Sequence, residues 1–199
     1  MIQYSYIKKL GVIIIDTYNS NIKKRGLFII TVLIIILSML TLTSQNCDAK
    51  SKAANQTHIA GTNNVEKAWN FYISQGFSKE ATAGILGNYM RESRVNPSII
   101  ERGNNIGFGI AQWSFVRRIN LVSWLSKNNY ALSSLEGQLR FSILEMQNMS
   151  FGKYNYSSFK RINNVKEATA VFEKYFERAG VVALDERTRY AEEIYRKYA

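Results

Sequence analysis

The sequence is poor in the residues on which many hydrolytic sites depend. His58 is the one histidine and Cys47 the one cysteine among the 199 residues. An intrachain disulfide, a Cys-His peptidase, a Ser-His-Asp hydrolase and a histidine-rich zinc site therefore all lack the side chains they need. Aspartate is also absent between Asp48 and Asp185. Any catalysis must use glutamates, hydroxyls, amides or basic side chains, and the sequence implies no metal or organic cofactor.

The formal net charge of +11 is divided between two parts of the chain. Residues 1–56 contain seven Lys and Arg against two Asp and Glu, whereas residues 57–199 contain nineteen against thirteen. The first excess flanks an apolar segment and is interpreted as a topological signal. The second excess suits an anionic polymer, either nucleic acid or an acidic cell wall, and the alternative is a solvated surface without a partner.

An uncharged apolar run, LFIITVLIIILSMLTLT, occupies residues 27–43 directly after Lys23, Lys24 and Arg25. Its length falls between a signal-peptide core of about 7–15 residues and a spanning helix of about 17–25. In both cases the basic flank places the N-terminus in the cytoplasm and the remaining chain outside. We therefore expect an extracytoplasmic protein, either anchored in the membrane or secreted after cleavage. Export argues against nucleic acid as the partner.

This run divides the chain into four predicted parts. They are a basic cytoplasmic N-terminus (1–26), a transmembrane anchor or signal segment (27–46), a polar linker (47–62) and a folded domain (63–199). Apolar residues in the last part recur at helical spacing, which predicts a mainly helical domain. Helix starts are predicted from capping residues at Asn63 with Glu66, Ser78, Ser114, Ser133 with Glu136, and Asn164 with Glu167. A last helix is predicted from about Asp185, and the glycine-rich segment 98–113 predicts irregular structure with a short hairpin.

Glu92 is the most informative residue of the domain. Helix neighbours lie three and four positions apart, so Ile85, Tyr89 and Glu92 share one otherwise apolar stripe. Apolar surroundings raise the pKa of a carboxyl group, which is what a general acid working near neutral pH requires. The alternative is a glutamate at a frayed helix end, paired with Arg91 or Arg94 in solvent.

The segments around Glu92 resemble a known family. They are GILGNYMRESRVNP at 84–97, GFGIAQWS at 107–114, Arg117-Arg118, FERAG at 176–180 and Arg189-Tyr190-Ala191. Together they resemble the phage tail lysozyme family of the lysozyme-like superfamily, over about residues 64–199. Glu-Ser followed by Asn-Pro also occurs in goose-type lysozymes and lytic transglycosylases. The resemblance implies a lysozyme-like α+β domain, mostly α, behind the N-terminal segment.

The resemblance also implies roles for individual residues. Glu92 becomes the catalytic acid and Gln112 a cleft residue that faces the sugar. Gly107 and Gly109 would let the backbone approach the glycan closely. Trp113 is either a stacking platform for a sugar ring or a core residue. Ser114 is interpreted as a helix cap, since no histidine can activate it as a nucleophile.

A second carboxylate is harder to assign. Glycoside hydrolysis ordinarily uses two acids, placed about 5–5.5 Å apart for retention and about 6.5–9.5 Å apart for inversion. Glu101 is the nearest candidate, and its alternative is a solvated loop charge. Glu177 in the FERAG segment is a third candidate, although helical spacing predicts an ordinary surface residue. A single-acid mechanism, assisted by water or by the N-acetyl group of the substrate, stays open.

The expected activity is cleavage of the β-1,4 bond between N-acetylmuramic acid and N-acetylglucosamine in peptidoglycan glycan strands. Two alternatives remain from the sequence, namely a lytic transglycosylase acting on the same bond and a wall-binding or assembly protein without catalysis. The membrane would be contacted through residues 27–46. Secretion, conjugation and phage machinery are the biological settings that would use such a protein.

Overall fold

The computed structural model describes residues 59–101, 103, 105–178, 180 and 182–199, and their regular structure is helical. In chain order the elements are α1 (Asn64–Ser74), α2 (Lys79–Ser93), α3 (Phe115–Lys127), α4 (Leu135–Gln147), α5 (Tyr156–Phe159), α6 (Val165–Phe172), a π-helical turn (Glu173–Glu177) and α7 (Leu184–Tyr198). The predicted anchor or signal segment at 27–46 lies outside the described residues. Within the described part of the chain, no helix has the length and apolar character needed to cross a membrane.

Side-chain caps fix the starts of several helices. The side chains of Asn63, Ser78 and Asn164 each accept a hydrogen bond from the backbone N–H three residues further on, which satisfies one of the free donors of the first turn. These three predicted starts are confirmed. The start predicted at Ser133 is one residue too early, because Ser134 is the residue whose hydroxyl accepts from a backbone N–H, that of Gly137.

Helix α2 lies at the centre of the domain and packs against α6 and α7. Ile85, Leu86 and Tyr89 are fully buried on it. The Tyr89 hydroxyl lies 3.2 Å from that of Tyr72, which in turn lies 2.7 Å from the Ser142 hydroxyl, so the buried phenols satisfy one another. The apolar stripe predicted for Ile85 and Tyr89 thus faces the core. Because α2 is held on several sides, its C-terminal end has a fixed position.

Close packing of α2 on α7 requires a glycine at position 87. A Cβ atom added there would lie 2.6 Å from the Ala191 Cβ and 2.8 Å from the Ala191 backbone nitrogen. We expect Gly87→Ala to destabilise the fold by about 1–3 kcal/mol, because overpacking at a helix interface outweighs the better helix propensity of alanine. Urea unfolding measures the change. Gly180→Ala is the control, since a Cβ atom at Gly180 meets nothing within 4 Å, and an equal loss in both variants would contradict the packing argument.

The glycine-rich segment after α2 forms isolated β-bridges in place of the predicted hairpin. Ile100 pairs with Phe108, and Phe108 pairs with Trp113. In the described residues the β contribution consists of such isolated bridges, so the mostly α prediction is confirmed and the strand content is minimal. The bridges turn the segment back toward the C-terminal end of α2, which brings Glu101 and Gln112 to the side of the molecule that carries Glu92.

The helix predicted to run from Asn164 to Gly180 ends differently. Helix α6 stops at Phe172, and the next turn is π-helical, with the Arg178 N–H donating to the Glu173 carbonyl at 2.9 Å. Arg178 then adopts a left-handed conformation (φ 53°). A π turn inserts one extra residue into the helical repeat and is frequent at functional sites. It changes which side chains after Phe172 face the interior.

Candidate active site

A cleft of about 480 Å³ opens where α2, the glycine-rich segment, α3, the π turn and α7 meet. The side chains that matter for its chemistry come from all of these elements. They are Glu92, Glu101, Gln112, Arg117, Glu177 and Arg187. The predicted acid and its two candidate partners thus line the same cleft.

Glu92 lies in the last turn of α2, with 21% of its side chain exposed. Its Oε1 accepts a hydrogen bond from Arg187 Nη2 at 2.6 Å. The prediction of apolar surroundings from the helical stripe is therefore wrong, since the Arg187 guanidinium of α7 covers one side of the carboxyl group. The alternative pairing with Arg91 is also wrong, because Arg91 pairs with Glu186 at 2.8 Å. Glu92 is held in place and remains open to the cleft.

Arg187 is the buried charge that organises the floor of the cleft. Only 3% of its side chain is exposed. Besides Glu92 it contacts the buried Glu173, with Nε to Oε1 at 2.9 Å, and the Asn88 side-chain oxygen, with Nη1 to Oδ1 at 3.2 Å. Charge-assisted bonds of this kind are short and directional. Each guanidinium nitrogen has a partner, so the orientation of Arg187, and through it that of Glu92, is fixed.

A second guanidinium is supplied by Arg117 at the start of α3. Its Nε and Nη2 reach the two oxygens of Glu145, both at 2.9 Å, in a bidentate pair. Its Nη1 donates to the Phe176 carbonyl at 3.1 Å, which ties the π turn to α3. Arg117 is therefore bound into the fold and is not a solvated surface charge. It is a structural element of the cleft wall.

Trp113 has no ring face available to a sugar. It is fully buried, and its Nε1 donates to Glu145 Oε2 at 2.6 Å. The stacking role is therefore corrected to the core alternative. Trp113 helps to position Glu145, which in turn holds Arg117.

The two glycines are also explained by packing within the protein. Gly107 and Gly109 are both buried. A Cβ atom at Gly107 would lie 2.7 Å from Gln112 Oε1, and one at Gly109, where φ is +75°, would collide with the Gln138 side chain. The predicted close approach of these glycines to a glycan is corrected accordingly. What they permit is the placement of Gln112, which lines the cleft and donates from Nε2 to the Gly109 carbonyl at 2.8 Å.

Glu101 faces the cleft from the opposite loop. Its Oε2 accepts a hydrogen bond from the Gly107 N–H at 3.0 Å, and its own N–H donates to the Gly107 carbonyl at 2.8 Å. One carboxyl oxygen is thus used to stabilise the loop. Ser114 occupies the cap position of α3, as predicted, but its side chain accepts no capping hydrogen bond.

Glu177 is the residue that the sequence interpretation underestimated. It was expected on the surface, whereas its Oε1 is shielded from solvent and has no hydrogen-bond partner among the described residues. Burial raises the pKa of Glu177 well above its ordinary value, and the negative charge of Glu92 adds to this shift, while Arg117 and Arg187 oppose it. The π turn is the reason for the error, because helical spacing no longer applies after Phe172. The FERAG resemblance was the one signal that pointed to this position.

Comparison with known proteins agrees with the geometry. The model of the phage tail lysozyme family matches residues 63–198. The chain belongs to this family. Morphogenesis protein 1 of Bacillus phage B103 is 27% identical over 144 residues, which are 66% of this chain and 38% of that protein. The chain thus spans well under half the length of this relative.

Segments that carry the family resemblance meet at the cleft. Three of them, at 84–97, 107–114 and 176–180, contribute Glu92, Gln112 and Glu177 to it. Residues far apart in the sequence thus meet at one place in the fold.

Proposed function

We propose that this phage tail lysozyme family protein is a muramidase, which hydrolyses the β-1,4 bond between N-acetylmuramic acid and N-acetylglucosamine in peptidoglycan. The observation that carries the proposal is the position of Glu92 at the end of a rigid helix, oriented by Arg187 and open to the cleft. A general acid needs this combination of fixed geometry and access to the substrate.

In the proposed reaction Glu92 protonates the glycosidic oxygen as the bond to the sugar breaks. With the sugar bound in the cleft, positive charge develops on its ring near Glu92, Glu101 and Glu177, which line the cleft. Carboxylates in this position stabilise an oxocarbenium-like transition state. Gln112 supplies an amide that can hydrogen-bond the sugar. A water molecule then attacks the anomeric carbon, and its proton returns to the protein.

The second candidate function is that of a lytic transglycosylase, in which the muramyl 6-hydroxyl attacks in place of water. The structural feature that favours it is the hydrogen bond from the Gly107 N–H to Glu101 Oε2, because an oxygen that already holds the loop is less available to orient a water molecule. The relative is named a morphogenesis protein, and the proposal therefore includes a role within phage assembly machinery. The protein would act on the wall outside the cytoplasmic membrane.

Analysis of the reaction products tests the proposal. We expect the purified full-length protein to clear a peptidoglycan zymogram and to release fragments that mass spectrometry shows with a reducing N-acetylmuramic acid end. Fragments with a 1,6-anhydro end would instead show that the protein is a lytic transglycosylase. No clearing, with no fragments released, would overturn both candidate functions and leave a wall-binding or assembly protein.

A further inference from the structure

Among the described residues, Glu177 is a carboxyl group of the cleft floor that pairs with no guanidinium. Two guanidiniums, those of Arg117 and Arg187, face four carboxyl groups from three elements, namely Glu92 on α2, Glu145 on α4, and Glu173 and Glu177 on the π turn. The other two arginines that line the cleft, Arg91 and Arg178, bind Glu186 and the Tyr175 carbonyl. Arg117 donates to Glu145 and to a backbone carbonyl, and Arg187 donates to Glu92, Glu173 and Asn88. Each guanidinium nitrogen thus has another partner, and Glu177 Oε1 accepts from none of them.

Glu177 lines the cleft with part of its side chain, but its shielded Oε1 makes it the carboxyl group of this set that most favours the protonated form. An ionised carboxylate that is buried without a partner is strongly disfavoured, so such a group is neutralised by protonation. Its Oε1 has neither solvent nor a hydrogen-bond donor among the described residues. The negative charge of the nearby Glu92 raises the pKa of Glu177 further.

Glu92 is in the opposite situation. Its Oε1 accepts a charge-assisted hydrogen bond from the Arg187 guanidinium at 2.6 Å, whereas Glu177 Oε1 has no such partner. A general acid, however, must hold a proton when the leaving oxygen departs. In the cleft, Glu92 thus faces the substrate and Glu177 favours the protonated form. Two interacting carboxyl groups that share a proton divide their roles in this way.

We propose that Glu177 holds the proton that Glu92 delivers to the glycosidic oxygen, so that the two glutamates act as one acid. The inference rests on the proposed function. The O–H bond of Glu177 breaks as an O–H bond forms on Glu92, directly or through one water. The O–H bond of Glu92 then breaks as the leaving oxygen is protonated, and the electron pair of the glycosidic bond goes to that oxygen. The attacking water or 6-hydroxyl releases a proton, which returns through Glu92 to Glu177.

The variant Glu177→Gln tests this role, because glutamine keeps the size of the side chain and cannot supply the proton. We expect kcat on soluble peptidoglycan fragments to fall about 10–100-fold, part of the range of general acid catalysis. KM should stay within about two-fold of the wild-type value. Glu177 acts on the reaction through Glu92 and does not itself bind the substrate. The alkaline limb of the pH profile should move to lower pH, because the group that retains the proton at higher pH is gone. Glu193→Gln, an exposed carboxyl on α7 paired with Arg189, should change none of these quantities.

The double variant Glu92→Gln/Glu177→Gln distinguishes a shared proton from two independent contributions. If the residues act as one unit, the double variant is no slower than Glu92→Gln alone. A loss equal to the product of the single losses would overturn the inference, as would a Glu177→Gln protein with wild-type kcat and pH profile. Neither result affects the proposed function, which is tested separately by analysis of the reaction products.

Two measurements are independent of activity. Infrared spectra of the wild-type protein at neutral pH should contain the C=O stretch of a protonated carboxyl group, and Glu177→Gln should lack it. Urea unfolding should show that the stability advantage of Glu177→Gln over wild type grows as pH rises above about 4.5, the ordinary pKa of glutamate. A raised pKa in the folded state means that folding retains a proton which the unfolded chain has released, so wild-type stability falls across this window.

The groups that set this pH dependence come from five helices. They are Tyr72 on α1, Tyr89 and Glu92 on α2, Arg117 on α3, Glu145 on α4 and Arg187 on α7. A wild-type protein without the carboxyl band, together with a stability difference that does not change with pH, would overturn the inference even if Glu177→Gln were slow.

Discussion

Glu92→Gln should abolish wall lysis while the fold is retained. The substitution keeps the volume and the hydrogen-bonding ability of the side chain and removes the transferable proton. General acid catalysis contributes about 10²–10⁴-fold to the rate, or about 3–5 kcal/mol of barrier. Zymography and the release of soluble fragments measure the loss. Arg187 keeps the buried Glu173 as its charged partner in this variant, so circular dichroism should be unchanged.

Glu101→Gln is the matched control, since Glu101 is a second glutamate in the same cleft. Its Oε2 already binds the Gly107 N–H, and an amide oxygen can replace it there, so we expect a rate change of only a few-fold. A loss as large as that of Glu92→Gln would make Glu101 a true second carboxylate. If Glu92→Gln digests peptidoglycan at the wild-type rate, the proton donor lies elsewhere and the proposed function needs a different acid.

Arg187→Met should produce the largest loss of stability. The substitution leaves the carboxyl groups of Glu173 and Glu92 without their guanidinium, and Glu173 is buried. Breaking a buried ion pair by removing one partner costs about 3–5 kcal/mol, because an uncompensated charge stays in the interior. Urea unfolding at neutral pH measures this change, and lytic activity should fall with it because Glu92 loses its orientation.

Arg189→Met provides the comparison for Arg187→Met on the same helix. Arg189 pairs with Glu193, and both side chains are about half exposed. An exposed pair of this kind contributes about 0–1 kcal/mol. Similar losses in the two variants would show that α7 tolerates no arginine replacement at all, and would contradict the role assigned to the buried network. Adding Glu173→Gln to Arg187→Met should restore part of the stability, since it removes the stranded charge.

Local signals explain which parts of the fold could be predicted from the sequence. The caps at Asn63, Ser78 and Asn164 depend on hydrogen bonds that span three residues, and such bonds can be inferred from a short segment. The start at Ser133 is wrong by one residue, because Ser133 and Ser134 are equally good caps and only packing selects between them. The end of α6 could not be predicted, since nothing in its local sequence indicates a π turn.

The candidate site shows the same division between local and long-range information. The helical stripe and the family resemblance both point to Glu92, which lines the cleft, but they do not predict its environment, because Arg187 lies 95 residues away on another helix. For Trp113 the sequence leaves a sugar-stacking role and a core role open, and its burial under α4, which depends on the tertiary fold, decides for the core. Glu177 was placed on the surface by a spacing rule that the π turn breaks. In each case the missing information was a contact between distant segments.

The long span of the contact between Glu92 and Arg187 also affects when the protein becomes active. A contact of this sequence separation exists only once the two distant segments have docked. Partially folded chains in which α7 has not docked have an unoriented Glu92 and a cleft without its floor. The proposed lytic activity would therefore arise together with the complete fold, and folding intermediates would be harmless to the wall of the cell that makes them.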